Sequence, residues 1–343
     1  MVLRWGIRGC GMISHDFAAA IATLSNDEHH VTAVCGSKPQ QFCDRLKLTD
    51  VKLFDRNSES DFYNDRDIDI VYVGVINSEH LEVVLNALNH DKHVLCEKPM
   101  GLNEGETRKM VDCARQNGRF MMEGYWSRFF PAYQHARQLV RQGAIGDVQY
   151  TAANFTYHFV ENANKFAPTL GGGTTMSLGC YTYALAQFFM GLKPERILAM
   201  GALTEQGTDH TVMATLQYPN GRFSSCTYSA AVSSPSEATI VGTEGMIKLP
   251  HPFWCPLDVD VYKRKGRVTE KVDSKHFALP DSDGGTIDRN YINSLGFVYE
   301  AQAIRKCIAQ GKLECDEMTW EQSIELASTT DEILRQVGCK HAK

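Results

Sequence analysis

Residues 68–75, IDIVYVGV, form a near-continuous run of apolar and β-branched side chains. A strand with one wet face alternates polar and apolar residues. A strand without that alternation is buried on both faces, as in a parallel sheet covered by helices. Shorter runs of the same kind lie at 3–7, 31–34, 93–96 and 119–123, and helix-compatible segments at 16–24, 40–48, 80–90 and 104–117 separate them. Strand and helix alternate throughout, which predicts a doubly wound α/β domain over residues 1–124.

The pattern changes after about residue 125. Between 146 and 249 the chain offers DVQYTAANFTYHF, RILAMGALT, HTVMATLQY, GRFSSCTYSAA and EATIVGTEGMIKL, separated by turn signals such as Pro219-Asn220-Gly221. These read as strands joined by hairpins. Helical stretches return at 291–307 and 319–337. The expectation is an α/β N-terminal Rossmann domain followed by an α+β domain, 125–343, with a large open and mostly antiparallel sheet. The last helices are free to pack back on the first domain. A length of 343 residues exceeds one ordinary core and fits two domains.

Composition narrows the function. The net charge of −6 argues against a nucleic-acid partner. No apolar run reaches the roughly 18 residues of a membrane span. The opening MVLRWGIRGC turns at once into a strand and lacks the h-region of a signal peptide. The eleven cysteines include no Cys-x-x-Cys spacing. Reduced thiols in a cytoplasmic protein are therefore expected, with no disulfide framework and no structural metal.

The first strand leads into Gly9-Cys10-Gly11-Met12-Ile13-Ser14, a G-x-G-x-x-G motif with serine at its last position. The first glycine permits the tight turn, and the second lets backbone approach a pyrophosphate on the helix N-terminus. Gly9, Gly11, Met12 and Ile13 are thus cofactor-binding candidates. NAD-selective sites place an acid at the end of the second strand. Here Cys35-Gly36-Ser37-Lys38 offers a hydroxyl and a cation instead. Ser37 and Lys38 suit a 2′-phosphate, so the expected cofactor is NADP.

The motifs VINSEH, CEKP, GGGTTMSLGCY and VGTEGMIKL, with the glycine turn, resemble the Gfo/Idh/MocA oxidoreductases. EGYWSRFFPAYQHARQLVRQGAIGDV and HPFWCP resemble the dihydrodiol dehydrogenase branch, whose members also oxidise D-xylose with NADP. The likeness spans essentially the whole chain. It implies a substrate pocket between the two domains and a homodimer through the open sheet. It places Glu97 and Lys98 of the EKP motif beside the nicotinamide and implies a cis bond before Pro99. Tyr181 corresponds to the family's catalytic tyrosine. A free phenol has a pKa of about 10. A neighbouring ammonium favours phenolate, so Tyr181 with Lys98 can exchange the proton of a substrate hydroxyl as hydride moves. Asn77, His80 and Arg128 match cofactor-side positions. Trp126, Phe155 and Tyr291 match substrate-side aromatics, a flat wall for a dihydrodiol ring or the C–H face of a sugar. Ser177 stands where the family usually carries aspartate. It lists with the substrate-binding candidates, and it opens a choice between a diol or aldopyranose dehydrogenase, a carbonyl-sugar reductase, and a homologue that kept the fold and lost turnover.

Overall fold

The computed structural model describes residues 1–191, 193–280 and 287–340, so positions 192, 281–286 and 341–343 of the expected second domain lie outside the described residues. The chain forms two compact units. The first comprises Met1–Gly101, Gly105–Phe129 and Leu279–Trp320, and the second comprises Leu102–Glu104, Phe130–Ala278 and Glu321–Lys343. The chain returns to the first unit at Leu279.

The first unit runs β1 (Leu3–Arg8), α1 (Met12–Ile21), β2 (His29–Cys35), α2 (Pro39–Leu46), β3 (Lys52–Phe54), α3 (Glu59–Asn64), β4 (Ile70–Val73), α4 (His80–Asn89), β5 (His93–Glu97), α5 (Glu104–Asn117) and β6 (Met121–Gly124). The sheet order is β3-β2-β1-β4-β5-β6 with every pair parallel. Strand order reverses between β1 and β4, the point where doubly wound sheets bind ligands. All four residues of β4 are buried, as its unbroken apolar run requires.

Helix α1 starts at Met12, earlier than its apolar pattern suggests, because polar Ser14, His15 and Asp16 fill its first turns and all three are buried. Their partners are remote in sequence. Ser14 Oγ donates to Gly74 O at 3.3 Å, and Asp16 accepts from Asn290 and Tyr291. Short β3 and α3 carry too few residues for any periodicity to show.

The second unit contains α6 (Pro131–Arg141), β7 (Val148–Thr156), α7 (Cys180–Met190), β8 (Arg196–Leu203), β9 (Asp209–Tyr218), β10 (Arg222–Ser229), β11 (Ala238–Gly242), β12 (Gly245–Leu249), β13 (Asp258–Lys265) and β14 (Val268–His276). Helix α8 (Phe297–Ala309) belongs to the first unit, and α9 (Trp320–Val337) lies almost wholly in the second. The eight-stranded sheet has the order β14-β13-β12-β11-β7-β10-β9-β8. Its pairs are antiparallel except β7 with β10. That exception departs from a pure hairpin sheet. The crossover through α7 and the β8–β9 hairpin separates the two strands, and a connection of that length permits parallel pairing.

Alternation divides the faces of this sheet. Thr151, Ala153 and Phe155 of β7 point inward with Ser224, Cys226 and Tyr228 of β10, and α7 covers them. Full burial of one such aromatic or aliphatic side chain contributes roughly 1.5–3 kcal/mol. The opposite face exposes Tyr150, Leu198, Met200, Met213 and Phe223. Met200 is paired with Met213, and Tyr150 with Phe223. Strand β14 is exposed at every position, so no alternation marks it in the sequence.

Candidate active site

In the first unit the glycine turn sits at the carboxyl end of β1. Gly9 has φ +106°, and a Cβ there would lie 2.6 Å from Gly74 O. Only glycine fits that turn. Gly11 caps α1 without a side-chain hydrogen bond, and the first turn carries no acid. The amides around Met12 and Ile13 therefore face outward as donors at a positive helix end, which suits a pyrophosphate. The third glycine of the motif normally permits close packing of helix on strand. Here the roles are exchanged. Ser14 occupies the helix side, and a Cβ on facing Gly74 would strike Ser14 Oγ.

Ser37 and Lys38 follow β2 and are both exposed. The Lys38 backbone hydrogen-bonds the Cys10 thiol, so the loop after β2 lies against the glycine turn. A 2′-phosphate on a dinucleotide held by that turn would meet a hydroxyl and a cation. The residues present fit a nicotinamide dinucleotide.

At the end of β5 the Lys98–Pro99 bond is cis. Glu97 is buried. Its Oε1 accepts from Tyr72 OH at 2.7 Å, and its Oε2 accepts the Lys98 amide at 3.3 Å. Burial raises its pKa, against the hydrogen bond from Tyr72. His80 is wholly buried, with Nδ1 3.0 Å from Pro99 O and Nε2 3.3 Å from Val75 O. Burial pushes its pKa down, and the ring sits between the loop after β4 and the cis-proline turn. His80 is thus placed beneath the EKP turn, and Asn77 opens the short 3-10 turn that leads to it.

Trp126 stacks on Phe297 with centroids 4.4 Å apart. Arg128 is buried and donates from Nη1 to Glu317 O at 3.1 Å, so its guanidinium has a protein partner. Tyr291 remains 38% exposed. Its backbone N–H donates to Asp16 Oδ2 at 2.8 Å, and its phenol pKa is raised by burial and then by Glu97 and Asp16. Asp16 also accepts the Asn290 backbone amide at 2.9 Å and Asn290 Nδ2 at 2.7 Å. This buried carboxylate latches the Tyr291 segment onto α1. Sequence reasoning missed it, since its partners lie more than 270 residues away.

In the second unit Tyr181 stands in the first turn of α7 with 9% exposure. Phe155 of β7 lies 5.7 Å from its ring. Trp254 stacks on Phe155 at 4.0 Å and 16°, and His251 meets Trp254 edge-on at 5.4 Å. Phe155, Tyr181 and Trp254 thus make one aromatic cluster. Trp254 belongs to the HPFWCP segment and was not among the residues singled out above; a tryptophan flanked by two prolines is the signal that marks it. Ser177 lies on the turn before α7 and donates from Oγ to Gly173 O at 2.8 Å.

Among the described residues, no three or more His, Cys, Asp or Glu side chains are grouped to hold a metal ion. No described helix is long and apolar enough to cross a membrane.

A doubly wound sheet with a glycine turn at its switch point, joined to an open-sheet domain carrying a buried tyrosine, defines a dinucleotide-dependent oxidoreductase class. The oxidoreductase family profile with an NAD-binding Rossmann fold matches residues 3–125, and the GFO/IDH/MocA C-terminal domain profile matches residues 133–248. The chain belongs to the Gfo/Idh/MocA oxidoreductase family. It is 37% identical to trans-1,2-dihydrobenzene-1,2-diol dehydrogenase of Danio rerio, over 100% of this chain and 99% of that one. The fold matches aldose-aldose oxidoreductase from Caulobacter crescentus with a TM-score of 0.83, 19% identity and coverage of 98% and 97%. It also matches a 3-ketoreductase from Actinomadura kijaniata, solved with NADP and TDP-benzene, with a TM-score of 0.80, 21% identity and 98% coverage of both chains.

Proposed function

We propose that this protein is an NADP-dependent dehydrogenase acting on a CH–OH group of a trans-dihydrodiol or an aldopyranose such as D-xylose. The observation that carries the reading is Tyr181, buried in the first turn of α7 within the Phe155–Trp254 cluster. That cluster offers a flat apolar wall, suited to a dihydrodiol ring or the C–H face of a sugar, next to a hydroxyl able to move a proton. The dehydrogenase activity named for the Danio rerio relative, which is 37% identical over the full chain, supports the substrate class. The bound nicotinamide supplies the hydride acceptor.

This chain's residues supply the rest. Tyr181 exchanges the proton of the substrate hydroxyl, and the cationic Lys98 assists it. Glu97, fixed by Tyr72, holds the strand end that carries Lys98. Ser37 and Lys38 select the 2′-phosphate. Absorbance of reduced nicotinamide with a panel of dihydrodiols and aldopyranoses, run with NADP and with NAD, tests the reading. Turnover on at least one substrate with NADP supports it. No turnover on any of them contradicts it.

Ser177 favours a second reading, in which the fold is kept and turnover is lost. Its hydroxyl donates to Gly173 O, where a carboxylate would offer charge and longer reach to a substrate hydroxyl. Ser177→Asp separates the two. Increased turnover on a diol or pentose supports the enzyme, and inactivity of both forms on every substrate supports the second reading. We also propose that the exposed apolar face of the eight-stranded sheet is covered by a second copy of the chain.

A further inference from the structure

Asp209, the first residue of β9, is wholly buried and has no part in the chemistry above. Its partners are an amide, two hydroxyls and a thiol. Oδ2 accepts the Thr175 backbone N–H at 2.7 Å, Thr175 Oγ1 at 3.0 Å and Thr174 Oγ1. Oδ1 accepts from Cys339 Sγ at 3.7 Å. Gly173 has φ +121°, and a Cβ there would strike Asp209 Oδ1. The network continues outward, with Thr175 Oγ1 3.0 Å from Tyr228 OH and Tyr183 OH donating to Thr175 O at 3.4 Å.

The carboxylate therefore fastens the start of a particular element. Thr175–Gly179 is a π-helical turn that runs directly into α7, and it carries Ser177. Tyr181 follows two residues after the turn ends. A π turn holds one more residue than an α turn, and such insertions are often found at functional sites. If the turn relaxed to α geometry, the phase would change by one residue, about 1.5 Å along the axis and about 100° around it. That change would re-aim both Tyr181 and Ser177. Two charge-assisted hydrogen bonds from Thr175 and one from Thr174, made to a buried oxygen, oppose it.

We propose that Asp209 is a positioning residue for the proton-transfer step. It anchors Thr175, fixes the phase of the junction between the π turn and α7, and so sets the aim of the Tyr181 hydroxyl. This rests on the reading that Tyr181 transfers the proton.

The test is a double-mutant cycle. Asp209→Asn keeps the side chain's size but turns an anionic acceptor into an amide facing three donors. Its kcat is expected to fall about tenfold to a hundredfold, the scale of a small misplacement of reacting groups. The affinity for NADP alone stays at the wild-type value, because the candidate cofactor residues belong to the other unit. In a Tyr181→Phe background the same substitution has no further effect on kcat. An additive loss in that background, or an unchanged kcat in Asp209→Asn alone, overturns the proposal. Should Asp209→Asn fail to fold, Thr174→Val removes one donor and keeps the Thr175 amide. It is expected to show a smaller loss with the same dependence on Tyr181, and a loss independent of Tyr181 overturns the proposal. Tyr181→Phe alone decides the underlying reading: if it turns over like wild type, that reading fails. If it is impaired while Asp209→Asn is not, only the positioning role fails. A wild type without turnover overturns both.

Discussion

Glu300 is the least comfortable side chain in the first unit. It is wholly buried in α8, and neither carboxyl oxygen has a hydrogen-bond partner among the described residues. Burial, and then the charge of Glu97, raise its pKa well above the carboxylate range. A carboxyl whose pKa is raised by folding stabilises fully below its unfolded pKa, and that contribution is lost as pH rises toward the folded value. Glu300→Gln mimics the protonated form and removes this dependence. Its melting temperature is expected to match wild type near pH 4.5 and to exceed it increasingly toward pH 8. A gap that does not widen with pH would contradict the assignment. Ser37 and Lys38 carry a second residue-scale expectation. A charge-assisted contact to a 2′-phosphate is worth roughly 1.5–3 kcal/mol, about tenfold to a hundredfold in affinity. Titration should show NADP binding tighter than NAD by that order in wild type, with the gap narrowing in Lys38→Ala. Equal binding of the two cofactors by wild type would remove the basis for NADP.

Two strand histidines govern an opposite pH slope at the scale of elements. His29 in β2 and His93 in β5 are held down to a pKa of about 4, chiefly by burial and then by nearby arginines, Arg305 and Arg119. An unfolded imidazole protonates near pH 6.5. Between those values the unfolded chain takes up protons that the folded chain refuses. Their contribution is therefore whole above about pH 6.5 and is lost as pH falls toward 4, by about 1.4 kcal/mol per unit of depression. Glu97 and Glu300 slope the other way, so the measurement is a difference. From pH 7 to pH 5 the urea midpoint of His93→Gln should change less unfavourably than that of wild type. Parallel curves would refute the depressed His93. The elements differ in how far the sequence exposed them. Residues 68–75 and the 104–117 helix were legible because burial on both faces and a long amphipathic period each leave a one-dimensional signature. Strand β14 left none, since charged residues crowd an exposed edge. The candidate site divides in the same way. The glycine turn and EKP are local motifs, whereas Tyr181 by itself reads as a core tyrosine and is marked only by the family resemblance of its segment. Asp16, Asp209 and Trp254 take their meaning from partners that only the fold brings near, and His80 reads as a motif histidine until burial shows the turn it sits beneath.

For the whole molecule, the exposed face of the eight-stranded sheet calls for a cover. Met200 and Met213, paired across β8 and β9, expose 73% and 57% of their surface. A stable interface there should bury at least about 1,000 Å² in total. Light scattering is expected to give twice the 38.4 kDa chain mass, and Met200→Asp with Met213→Asp should shift it toward the monomer. A wild-type monomer at micromolar concentration would contradict the dimer. The central claim is the joining of a dinucleotide-binding unit to a unit whose Tyr181 moves the substrate proton. The most direct measurement is steady-state reduction of NADP by a trans-dihydrodiol or D-xylose, in wild type and in Tyr181→Phe, with NADP affinity measured alongside. The expected result is turnover by wild type, a fall in kcat of roughly 10²–10⁴-fold in the variant, and unchanged cofactor binding. Equal turnover by the two proteins would contradict it.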